Sequence, residues 1–81
     1  MPNQIRSVHP GEILRDEMGE LGLSARQLAL VLGVPTHRGT GIANETRALT
    51  ADTALRLARY LGTSPEFWLN LQSTYELRRV Q

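Results

Sequence analysis

LSARQLALVLGVPTHRGTGIAN, residues 23–44, reads as two short helical segments and the break between them. Ser24 with Gln27 three positions on makes a capping box, and Leu23 before the cap can staple onto Leu28. A helix over about residues 25–32 follows. Gly33, Val34 and Pro35 interrupt it, because the proline ring pushes Val34 out of helical geometry. A second helix then spans about residues 36–44. Short helix, glycine-bearing break, short helix is the spacing of a helix-turn-helix over about residues 24–44. The residue types suit that unit. Ala29 is small where the helices would cross, Gly33 permits the sharp turn, and Leu28, Leu32, Val34 and Ile42 point inward. An ordinary helical hairpin inside a five-helix bundle has the same spacing, so spacing alone leaves both open.

Outward from this unit the punctuation is helical throughout. Over about residues 11–21, Ile13, Leu14, Met18 and Leu21 share one face, and Glu12, Asp16 and Glu20 stack on the other, until Gly22 stops the segment. After a polar loop over residues 45–49, Thr50 is the next N-cap, with Asp52 placed to favour the positive end of the helix dipole. Ala54, Leu57, Ala58 and Leu61 give that helix one buried stripe before Gly62. Ser64 and Pro65 open the last helix as cap and first-turn residue. Its apolar Phe67, Trp68, Leu69, Leu71, Tyr75 and Leu77 exceed one stripe, which implies two buried faces. The expected fold is all-α, a compact five-helix bundle with a central helix-turn-helix, forming a single domain over residues 1–81.

The chain has 81 residues, 41% hydrophobic and 21% charged. A core this small barely offsets the entropy of ordering the chain, which favours pairing with a second copy. The absence of cysteine excludes a disulfide framework, a thiolate zinc site and a cysteine nucleophile, and fits a cytoplasmic protein. No apolar run approaches the roughly 18 residues of a membrane span, and MPNQIRSVHPGE lacks the apolar core of a signal peptide. A net charge of +1 says nothing for or against nucleic acid, so the distribution of charge must carry that argument. All 9 basic residues are arginine, which suits forked contacts to phosphate or carboxylate and is equally a matter of genome composition.

HPGEIL at residues 9–14, LSARQLALVLGVP at 23–35 and TADTALRLARYLGTSPEFWLNLQ at 50–72 together resemble the HigA family of antitoxins. These are of the phage-repressor-like helix-turn-helix class and are encoded beside an mRNA-cleaving toxin. The resemblance covers about residues 5–78 and joins an N-terminal motif, the helix-turn-helix and a tryptophan-bearing last helix in the family order. It implies a homodimer that neutralises a HigB-type ribonuclease and binds double-stranded operator DNA to repress its own operon. Two departures from the family pattern stand out. Gly39 replaces the usual isoleucine or valine, with Gly41 close behind, and Glu45 replaces a common helix-ending glycine. Gly39 is expected on the inward face beneath Leu28 and Leu32 as an unfilled core position, so that isoleucine there would stabilise the helix, or would overpack it if another side chain has moved into the space. The alternative function is a protein-binding antitoxin or adaptor module whose DNA binding has been lost through Gly39 and Gly41.

In a helix-turn-helix the first residues of the second helix face base edges, which nominates Thr36, His37, Arg38, Thr40 and Gly41. Arg38 either forks onto a guanine or clamps a phosphate, and His37 either donates to DNA or simply faces solvent. Ser24 and Gln27, at the positive end of their helix, are placed for phosphate, as the corresponding glutamine is in phage repressors. Thr46 and Arg47 would reach the backbone on the far side, or are merely exposed loop. Glu12, Asp16, Glu17 and Glu20 read as a toxin-facing acidic surface or as a solvated helix face. Trp68, Leu71 and Tyr75 are expected at a dimer seam, with burial in the monomer as the other reading. His9 and Glu12 have a metal pair's spacing, but Pro10 and Gly11 lie between them and only one other histidine exists, so His9 reads as a helix start. No nucleophile and base pair up, and no glycine-rich phosphate loop follows a strand; neither an enzyme nor a cofactor nor a metal is expected.

Overall fold

The computed structural model describes residues 8–80. The first seven, which hold most of the segment read above for a signal peptide, lie outside the described residues. Five helices follow in order: α1 Pro10–Leu21, α2 Ala25–Leu32, α3 Thr36–Ala43, α4 Ala51–Leu61 and α5 Pro65–Arg79. Sequence and structure differ by a single residue at the start of α1 and at the end of α3. Capping explains the agreement. The side chains of His9, Ser24, Thr50 and Ser64 accept from the first-turn amides of α1, α2, α4 and α5. Gly33 closes α2 at φ 73°, a left-handed conformation that L side chains rarely adopt. Only α3 begins without a side-chain cap.

The core joins all five helices. Leu14 and Met18 of α1, Leu28, Ala29 and Leu32 of α2, Ile42 and Ala43 of α3, Ala54 and Leu57 of α4, and Trp68 of α5 form one buried cluster with Val34 and Leu49. Trp68 corrects the dimer expectation. Its ring is fully buried at 0% exposure, and its Nε1 donates to Thr63 Oγ1 at 2.8 Å. No surface of this ring remains for a second copy. α5 packs on α4 and also on α1, so two of its faces are occupied within one chain.

Gly39 is also corrected. It is buried on the inward face as expected, but no pocket lies over it. A Cβ built there would stand 3.2 Å from both the Ala25 carbonyl oxygen and Ala29 Cβ. The missing side chain lets α3 settle directly onto α2, with Ala29 small on the other side of the crossing. The space an isoleucine would need is taken by the neighbouring helix.

Candidate nucleic-acid interface

The outer end of α3 presents the residues that spacing nominated. Thr36 and His37 are exposed and Arg38 and Thr40 are half-buried. The Thr40 hydroxyl donates to the Thr36 carbonyl at 3.0 Å, which spends its proton inside the helix and leaves the oxygen as an acceptor. Gly41 is the exception. It is buried, and the aliphatic stem of Arg47 lies across it. It faces the following loop rather than a base, because the Arg47 stem covers its open side.

Ser24 and Gln27 form the reciprocal box: the Gln27 amide donates to Ser24 Oγ at 3.1 Å, and the Ser24 amide donates to Gln27 Oε1 at 2.9 Å. Both side chains stay exposed, and the Gln27 NH2 remains able to donate outward from the positive end of α2. Across α3, the Thr46 and Arg47 amides both donate to the Gly41 carbonyl, at 2.8 and 3.1 Å. The Arg47 carbonyl in turn accepts from His9 Nε2 at 3.1 Å. His9 Nδ1 accepts from the Gly11 amide at 2.9 Å, so this buried ring has a partner on both nitrogens. His9 therefore starts α1 and also fixes the loop that carries Arg47.

Sequence reasoning missed the groups that hold this surface in place. Arg56 Nη1 donates to the Leu32 carbonyl at 2.9 Å, and its Nε donates to Asp52 Oδ2 at 3.1 Å. The same carboxylate oxygen receives Arg38 Nη1 at 3.2 Å. Gln72 Oε1, buried, accepts from the Leu49 amide at 2.8 Å and ties the loop after α3 to α5. Apart from Arg56 and Asp52, which stand i, i+4 on α4, these partners are 14 to 24 residues apart, beyond any helical period; only the arginine-rich composition hinted at them.

The acidic residues of α1 divide. Asp16 and Glu20 are exposed, Glu12 and Glu17 half-buried. Glu17, Glu20 and Leu21 line a shallow cleft with Tyr60 and Leu61 at the end of α4. Leu71 packs half-buried against the core, and the Tyr75 ring stands edge-on to His9 at 4.8 Å with Arg79 over it at 5.5 Å. The apolar side chains α5 leaves most open are instead Phe67 and Leu77, with Val80 just beyond.

The sequence profile of the helix-turn-helix family matches residues 14–68. An addiction module antidote protein of the HigA family from Coxiella burnetii superposes with a TM-score of 0.90 at 56% identity, over 93% of this chain and 83% of that one. The antitoxin HigA of Pseudomonas aeruginosa, solved with the higBA promoter, superposes with a TM-score of 0.90 at 47% identity, over 93% and 83%. Virulence-associated protein I of Dichelobacter nodosus is 48% identical over 80 residues, 98% of this chain and 74% of that protein. Two short helices joined by a glycine turn, the second exposing Thr36, His37 and Arg38, define a helix-turn-helix protein of the nucleic-acid-binding type. The chain belongs to the HigA family of helix-turn-helix antitoxins. Among the described residues no helix is long and apolar enough to cross a membrane.

Proposed function

We propose that this chain is a cytoplasmic antitoxin, one helix-turn-helix domain that dimerises, binds operator DNA to repress its own operon, and neutralises a HigB-type mRNA-cleaving toxin. The observation that carries the DNA reading is the open first turn of α3, flanked by Ser24 and Gln27 on one side and Arg47 on the other. Such a layout lets Arg38, His37 and Thr36 meet base edges while Ser24, Gln27, Thr46 and Arg47 take phosphate. The Pseudomonas relative solved with its promoter supports it. The reading without DNA binding rested on Gly39 and Gly41 loosening α3, and their close packing removes that ground. The chain acts by binding; the relatives carry antitoxin and regulator names.

Glu12, Asp16, Glu17 and Glu20 supply the face for a basic ribonuclease, whose RNA-gripping surface an acidic helix attracts over a distance. Dimerisation uses Phe67 and Leu77 of α5 together with the exposed flanks of Leu71 and Tyr75.

The deciding experiment is a salt-dependent gel shift with the DNA upstream of this gene. Specific retention that weakens linearly on a log–log salt plot is expected. Equal affinity for an unrelated duplex would reject operator recognition. For the toxin, reversing Glu12, Asp16 and Glu20 to arginine should slow association at low salt more than it speeds release. Unchanged association would remove this face from toxin binding.

A further inference from the structure

We infer that Asp52 is a positioning residue for DNA reading: it holds Arg38 in the pose from which the guanidinium meets a base edge. The inference rests on the reading of Arg38 as a base contact. The two carbonyls at the end of α2 hold Arg56 Nη1, at 2.9 Å from Leu32 and 3.5 Å from Gly33. Arg56 Nε holds Asp52 Oδ2 at 3.1 Å, and that oxygen holds Arg38 Nη1 at 3.2 Å. Three short links thus run from the rigid end of α2, through the first turn of α4, to the exposed first turn of α3.

An arginine with no such anchor swings among many rotamers and settles on whichever phosphate is nearest. Guanine recognition needs the forked donors held in one plane. The Asp52 contact engages Nη1, and leaves Nη2 and Nε for a base. Asp52 also sets a negative charge beside the DNA path, with its side chain 57% exposed. It therefore opposes phosphate attraction on every sequence while improving contact on the right one. That pair of opposed effects separates positioning from two simpler roles. A merely structural carboxylate would lower both affinities when removed, and a mere counter-charge would raise both.

The test uses the full chain with Asp52→Asn and Asp52→Ser, a labelled duplex from the gene's own upstream DNA, and a scrambled duplex of the same length and composition. Binding is measured over a salt series, and thermal melts check that each variant is folded. The expected result is a fall of about tenfold in the upstream-to-scrambled affinity ratio, with scrambled binding unchanged or up to about threefold tighter at low salt. In an Arg38→Ala background, Asp52→Asn should change that ratio by less than about twofold. Parallel change in both affinities, in either direction, overturns the inference. If Arg38→Ala lowers the ratio while Asp52→Asn leaves it intact, positioning alone fails. If Arg38→Ala leaves the ratio intact, the base-contact reading fails and positioning fails with it.

Discussion

Arg15 of α1 and Glu45, just beyond α3, form an ion pair with 2.9 Å between Nη2 and Oε2, and the same guanidinium donates from Nη1 to the Ala43 carbonyl. α3 is therefore closed at its C-terminal end by a side chain from another helix. Glu45 takes φ 64°, the left-handed conformation in which the family commonly keeps glycine. A non-glycine residue there costs about 1 to 2 kcal/mol, and a half-exposed ion pair returns only about 0.2 to 1. Glu45→Gly should thus leave stability within about 1 kcal/mol of the parent, trading strain against the pair. Glu45→Ala keeps the strain and loses the pair, so it should be the less stable of the two. Chemical denaturation of both variants checks the order; alanine equal to or above glycine would show that the φ carries no strain.

HPGEIL has a steric reason at Gly11. A Cβ on Gly11 would overlap the Ile42 carbonyl oxygen, because the start of α1 runs directly against the end of α3. Backbone cannot move aside as a flexible side chain does. Gly11→Ala should therefore cost about 2 to 4 kcal/mol, at the upper end for overpacking. The unfolding midpoint reads this directly, and a loss under about 0.5 kcal/mol, the scale of a neutral surface change, would contradict the contact.

Local signals made the helices legible, since caps, glycines and prolines act within a few residues of where they stand. Ser24 with Gln27, and Thr50 and Ser64, marked starts that the structure keeps. The exposed first turn of α3 was legible for the same reason. Trp68 was not. Counting apolar positions on α5 revealed two buried faces, but periodicity does not distinguish a second helix of the same chain from a second copy, and α1 proved to be the neighbour. Arg15, Arg56 and Gln72 escaped notice because each bonds to a main-chain group 23 to 28 residues away, which no side-chain pattern encodes.

At Gly39, added volume is expected to harm. Alanine gains about 1 kcal/mol of helix propensity, and its Cβ meets Ala29 and the Ala25 carbonyl at a distance that makes α2 give slightly. These effects nearly cancel, so Gly39→Ala should be close to neutral. Gly39→Ile has further carbons with nowhere to go and should lose about 1 to 3 kcal/mol. Thermal melts of the three proteins decide it. A stabilised isoleucine variant would mean that α2 and α3 stand further apart than the structure has them.

Gly41 differs from Gly39 in what its Cβ would meet. The nearest atoms are Arg47 Cδ at 2.8 Å and Cγ at 3.0 Å, on an exposed side chain that can swing away, and Arg47 Cβ at 3.2 Å, which asks only a small give of the loop. Alanine at position 41 should then gain helix propensity of up to about 1 kcal/mol, less whatever contact the Arg47 stem gives up. Stability should change by less than that amount. The consequence falls on the arginine. Its stem no longer lies across Gly41, and its guanidinium leaves the position from which, on the proposed reading, it reaches phosphate beside α3. One lost phosphate contact lowers the log–log salt slope of binding by about 0.9 and weakens upstream and scrambled DNA alike. Arg47→Ala should give the same slope without the stability gain, and adding Gly41→Ala to it should change DNA binding no further. Binding measured from low to moderate salt on the single and double variants separates the cases. An unchanged slope in Gly41→Ala would mean that Arg47 reaches the DNA backbone without support from this glycine.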